Sequence, residues 1–107
     1  MKIKAVLSTV VVPVDGLYRI TTISRNNLPN LSGIPHYIGH PDTQKIVETF
    51  GAVPAENKLF EGLKPGETAV CFPIKQGKST RREKGFSEAH QKVTLDDLDI
   101  RVVERLE

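Results

Sequence analysis

A histidine stands where an apolar stretch gives way to a helix start in Ile38-Gly39-His40-Pro41-Asp42-Thr43. Imidazole is the side chain that exchanges a proton near neutral pH, which makes His40 the first candidate for chemistry. Pro41 suits the first helical position, Asp42 complements the helix dipole, and Ile46, Val47 and Phe50 recur at helical spacing until Gly51 ends the run. His40 is therefore read as the N-cap. At that position it borders unpaired backbone N–H groups and the positive dipole end, both of which attract phosphate. The segment holds the parts for acid–base work on a phosphodiester. The plainer reading is that His40 only caps the helix.

A second group follows later in the chain. Lys75, Lys78, Arg81, Arg82 and Lys84 crowd into one stretch with Gly77 and Ser79 among them. Guanidinium forks suit phosphate oxygens, and the small residues let backbone wrap an anion. A solvated charge run is the alternative. Interleaved aromatics are missing, which argues against a general single-strand platform. Glu83 and Glu88 are candidate acid–base partners for a histidine. His36 lies four residues before His40 on a segment read as extended, so the two are expected to share a face; His90 is the third histidine. With no carboxylate or cysteine at ligand spacing, no metal site and no cofactor is assigned. Ser8-Thr9 interrupts an otherwise aliphatic first strand, where hydroxyls either line a site or satisfy backbone groups. Walker, dinucleotide-binding and nucleophile-elbow motifs are absent.

The elements that must position these residues are modest. The 107 residues fit one small domain, residues 1–107. Hydrophobic content of 38% against 26% charged residues fits a globular chain rather than a disordered one. No Trp is present and aromatics are few, so the core is aliphatic and thin, and dimerisation would bury more surface. The single cysteine, Cys71, rules out an internal disulfide and sits in an apolar run as a buried thiol. No stretch is long enough for a signal peptide or membrane span, so a cytoplasmic protein is expected. A net charge of +2 argues against binding a nucleic acid polymer over the whole surface; any anion site is local.

Along the chain, Ile3 to Val14 reads as a strand, Asp15-Gly16 as a hairpin turn and Leu17 to Ile23 as a second, antiparallel strand. Residues 24–33 form a turn-rich connection with one helical turn. Ile34 to Ile38 leads into a helix over Pro41 to Phe50, and Leu59-Phe60 is a candidate short strand. Thr68 to Ile74 is a strand, Gln76 to Gln91 a polar loop, Thr94 caps a brief helical turn, and Ile100 to Val103 closes the fold. The fold class is α/β or α+β, with a mixed sheet of about four to five strands and one main helix.

In order, Leu7-Ser8-Thr9-Val10, Gly16-Leu17-Tyr18-Arg19, the Ile38-to-Thr43 helix start, Pro65-Gly66-Glu67-Thr68-Ala69-Val70 and Lys92-Val93-Thr94-Leu95-Asp96-Asp97-Leu98 resemble a family of small proteins from archaeal viruses, phages and mobile elements. Its best-known members are the anti-CRISPR ring nucleases. The Ile-Gly-His-Xaa-Xaa-Thr core is the most specific piece, and the resemblance runs over nearly the whole chain.

The resemblance implies a homodimer that binds cyclic tetra-adenylate, the messenger of type III CRISPR defence, across its interface. It implies metal-free cleavage to linear di-adenylates ending in 2′,3′-cyclic phosphate. His40 falls on the catalytic histidine, as general acid. Gly39, Asp42 and Thr43 fall at the phosphate-holding helix start, and Ser8 and Thr9 near the polar contacts of the first strand, Ser8 standing where many members have Asn. Gln76, Lys78, Arg81 and Arg82 are the loop's expected ligand contacts. This loop is longer than the family's: Glu83 fits when counted from Arg81-Arg82, whereas Glu88 or His90 fits when counted back from Lys92. The alternative function is a non-catalytic cyclic-oligonucleotide sponge, or a nucleic-acid-binding accessory protein of a virus or mobile element.

Overall fold

The computed structural model describes residues 2–11, 14–57, 59–75 and 93–107. It is a mixed α/β domain in which, among the described residues, one α-helix, α1 (Pro41–Thr49), packs on one six-stranded sheet. The strands are β1 (Lys2–Leu7), β2 (Tyr18–Ile23), β3 (Pro35–His36), β4 (Val53–Pro54), β5 (Glu67–Cys71) and β6 (Ile100–Arg105), in spatial order β2-β6-β5-β1-β3-β4. The strand count exceeds the expected four to five because β3 and β4 are two residues each, too short to show as a pattern.

β1 runs parallel to β5 on one side and to β3 on the other, β4 is parallel to β3, and β6 is antiparallel to both β5 and β2. The expected β1–β2 hairpin does not form. β2 lies at the sheet edge against β6, with β6 and β5 between it and β1. Burial explains the exchange: Ala5, Val6 and Leu7 form a continuous apolar run that a central parallel strand requires, whereas most β2 side chains are exposed. Gly16 serves a different contact. A Cβ there would come 2.7 Å from the Glu107 carbonyl oxygen, so glycine lets the chain pass the end of β6, where the Leu17 amide donates to Glu107 O.

Each sheet face has its own cover. Val47 of α1, with Ile46 and Phe50, packs on Val6, Val70 and Phe72. The opposite face, built from Ala5, Leu7, Ala69, Cys71 and Val103, is covered by Phe60 and Leu63 from the β4–β5 connection. That cover is pinned by Arg105, whose guanidinium donates to Leu63 O at 2.6 Å and to Glu107 O at 3.1 Å. No helix among the described residues is long and apolar enough to cross a membrane.

Other sequence expectations are met or trimmed. β1 stops at Leu7, short of Val14, because Ser8 and Thr9 break the apolar run. β5 stops at Cys71, with an isolated bridge from Ile74 to Leu98 beyond it. Leu59-Phe60 is not a strand; Phe60 packs its ring on Tyr37 with centroids 5.4 Å apart. A 3-10 turn at Arg25–Asn27 and another at Leu95–Asp97 lie where helical turns were expected, and the Thr94 amide and hydroxyl both donate to the Asp97 carboxylate. The expected loop over residues 76–91 lies outside the described residues.

Three predictions arise here. Gly51 ends α1 with φ +97°, and an added Cβ would sit 2.9 Å from Ser32 Cα. Gly51→Ala is expected to cost at least about 1–2 kcal/mol, read from the urea midpoint. Cys71 is fully buried, and burial pushes its thiol up to about 12, partly offset by nearby Arg101. A thiol reagent at pH 8 should therefore label it only as fast as the protein unfolds. Third, the Glu67 carboxylate accepts the Lys64 amide at 2.6 Å and pairs with Lys4 at 3.4 Å, which holds it below the usual carboxylate range. A lowered folded pKa adds stability above the unfolded value, about 4.3, that is lost as pH falls through the folded value. The stability gap between wild type and Glu67→Gln should close as pH drops from 5 to below 4.

Candidate active site at the carboxyl ends of the parallel strands

The chain leaves β1 and reaches β3 on one side of it, then returns to place β5 on the other side. This reversal is a topological switch point, where open α/β sheets present a crevice outside the carboxyl ends of their strands. Ser8 and Thr9 emerge there from β1, both exposed, and Tyr37 to His40 emerge from β3 into α1. The fold thus brings Ser8, Thr9, Gly39, His40, Asp42 and Thr43 to one end of the sheet.

His40 is the N-cap, as its sequence position predicts. Its backbone is extended (φ −75°, ψ 125°), Pro41 follows at the first helical position, and Nδ1 accepts the Asp42 amide at 3.1 Å. The Gln44 amide donates to His40 O at 2.9 Å. Since Nδ1 accepts a hydrogen bond, the ring proton of this neutral tautomer is on Nε2. Nε2 is buried and has no hydrogen-bond partner among the described residues. A buried donor left unpaired costs about 1–3 kcal/mol, a cost removed when an acceptor arrives.

Its expected neighbours take differing roles. Asp42 does more than complement the dipole: its carboxylate accepts the Val93 amide at 2.8 Å and ties residues 93–97 to the start of α1. Its own amide is engaged by His40, so the helix-start donor outside the cap is the Thr43 amide; the Thr43 side chain is buried. Gly39 is exposed, with open space where a Cβ would lie. Gln76, Lys78, Arg81, Arg82, Glu83, Glu88 and His90 lie outside the described residues, and Lys75 stands at the edge of that segment.

His36 is engaged by the helix: it is buried at 1% exposure, with Nε2 2.8 Å from Glu48 Oε2 of α1. Its Nδ1 accepts the Ile38 amide at 3.4 Å, and the Gln44 side chain donates to Ile38 O at 2.6 Å. Strand end, connection and helix are thereby bonded to one another around His40. Sequence reasoning missed Gln44 and Glu48 because a helix's partners are set by how it docks. Helical spacing places Gln44 and Glu48 on one side of α1, but nothing in the sequence says that His36 faces it. Among the described residues, no three His, Cys, Asp or Glu side chains gather as a metal site.

Fold and site together define a small mixed α/β domain with a histidine-capped helix at its switch point. No family model matches the chain, and no curated protein matches it.

Proposed function

We propose that this protein is a metal-independent ring nuclease: it binds cyclic tetra-adenylate across a homodimer interface and cuts it to di-adenylates with 2′,3′-cyclic phosphate, ending type III CRISPR signalling. The observation that carries the reading is the buried His40 Nε2–H at the start of α1, without a partner among the described residues. It is supported by the motif resemblance and by the switch-point position.

In this reaction the ribose 2′-oxygen attacks its own phosphorus, the P–O2′ bond forms and the P–O5′ bond breaks. The 2′-proton leaves to a base, for which Glu83 or Glu88 is proposed, and the departing 5′-oxygen takes a proton. His40 is the donor as imidazolium: with the Asp42 amide released from Nδ1, it gives its Nε2 proton to that oxygen and returns to neutral imidazole, and the Thr43 amide with the α1 dipole stabilises charge on the phosphate. No step calls on a metal. A ligand with two-fold symmetry suits a two-fold dimer, in which each protomer supplies one His40. The protein acts in the cytoplasm where such a messenger is made, that of the host if the protein is viral.

The test is incubation with radiolabelled cyclic tetra-adenylate in EDTA, with protein first in excess and then limiting. Multiple turnover to di-adenylate is the expected result. Stoichiometric binding without products would replace the reading with a messenger sponge, and absence of binding would leave His40 as a helix cap.

A further inference from the structure

β2 leaves an open backbone edge. β6 lies on one side of it, and among the described residues no strand pairs on the other. Two bonds tell which groups that edge presents. The Leu106 amide donates to Leu17 O at 2.7 Å and the Gly66 amide to Arg105 O at 2.8 Å, so successive residues of β6 turn to β2 and to β5 alternately. Bonded positions alternate along an antiparallel ladder, which commits Arg19, Thr21 and Ile23 to β6 and turns the N–H and C=O groups of Tyr18, Ile20 and Thr22 outward.

Edge strands are normally blunted by shortness, by proline or by charge. The opposite edge follows that rule: β4 has two residues, and Pro54 has no amide to offer. β2 does not follow it. Its pairing with β6 runs from Tyr18 to Ile23 without a register shift, it holds no proline, and Arg19 is its one charged residue. Exposed large apolar side chains gather at the same edge: Ile20 at 51% and Leu17 at 54%, with Val14 before them and Leu106 bonded beside Leu17. Ile20 stands opposite Val103, which is buried in the cluster that Phe60 and Leu63 cover, so this apolar layer runs to the edge and leaves Ile20 half in solvent.

We infer that β2 is a homotypic interface, pairing antiparallel with β2 of a second copy of this chain so that the two sheets become one. The charge pattern selects a second copy over a different partner: β2 brings no acid and one base, and Ile20, Thr21, Thr22 and Ile23 are all β-branched, so the strand asks for a like strand rather than an opposite charge. One register satisfies the whole strand. With Ile20 opposite Ile20 of the second copy, the outward groups exchange bonds on both sides of a two-fold axis, Tyr18 faces Thr22, and Arg19 faces Thr21 instead of its own copy. β2 and β5 both run antiparallel to β6, so Ile23 lies at the sheet end from which His40 emerges, and this pairing sends the second copy's His40 to the far end. The two histidines cannot flank one ligand through this contact. The inference therefore goes beyond the nuclease reading and does not rest on it; a ligand-bridged dimer would use another face.

The experiment is amide hydrogen exchange, read residue by residue by NMR on the ¹⁵N-labelled full chain at low and high protein concentration, with sedimentation of the same samples. The Tyr18, Ile20 and Thr22 amides are expected to gain protection as the sedimenting mass doubles, while Arg19, Thr21 and Ile23 stay protected throughout. Ile20→Lys places two like charges on the axis at a half-exposed position; it should weaken self-association roughly tenfold or more and strip that protection, leaving exchange at the buried Val70 and Val102 unchanged. Free exchange of the outward amides at every concentration would overturn the inference. Protection that dilution does not alter would overturn it too, since the chain's own residues would then cover the edge. A dimer that Ile20→Lys leaves intact, with the outward amides unprotected, removes the β2 contact and leaves a ligand-bridged dimer standing.

Discussion

His40→Ala is expected to slow cleavage of cyclic tetra-adenylate by about 100-fold or more in single turnover, with little change in affinity. Folding stability should fall by only about 1 kcal/mol, the usual worth of a helix cap. The two effects have separate origins in the ring. Nδ1 carries the cap through its bond to the Asp42 amide, and Nε2 meets no acceptor among the described residues. His40→Asn separates them, because an asparagine oxygen caps a helix at least as well while supplying no imidazole. It should restore stability and leave cleavage as slow as in the alanine variant. Recovery of cleavage in His40→Asn would show that only the cap matters and would remove the chemical role.

Phe72→Ala should cost about 3–5 kcal/mol, the largest stability loss of any single change considered for this domain. Phe72 is 1% exposed, its amide donates to Leu7 O at 2.9 Å, and its ring stacks on Phe50 at 6.5 Å with planes 15° apart. Against a typical domain stability of about 5–15 kcal/mol, this is a large fraction. The melting midpoint should drop by roughly 10 °C or more. Phe72→Leu retains most of the volume and should cost much less, about 1.5 kcal/mol or below. Because Phe50 closes α1, the alanine variant should also loosen the helix that presents His40. Equal losses for the two variants would mean that packing at Phe72 does not hold α1.

Much of this arrangement is legible in the sequence because it is local. Pro41, Asp42 and the spacing of Ile46, Val47 and Phe50 fix α1 within a residue, and Thr94 with Asp97 marks the turn that follows. The cap role of His40 is local too, since it depends on an amide two residues away. Pairing between distant strands is not local. Asp15-Gly16 carries a hairpin signal, yet β2 gains more by closing the β6 edge than by returning along β1, whose flanks are taken by β5 and β3. The partners of His36 and Asp42 escaped for the same reason. Glu48 and Val93 are brought to them only when α1 docks and residues 93–97 return across the sheet end.

The position of β2 has a consequence for the order in which the chain can become protein. Among the described residues its only sheet neighbour is β6, with Tyr18 opposite Arg105 and Ile23 opposite Ile100. β1 in turn needs Cys71 opposite Leu7. During synthesis, β1 therefore emerges long before its β5 partner, and β2 finds nothing to pair with until residues 100–105 have been made. Contacts so distant along the chain form slowly and leave apolar strands uncovered in the interval. Nascent chains stopped before residue 100 should remain protease-sensitive throughout, and protection should arise in a single late step.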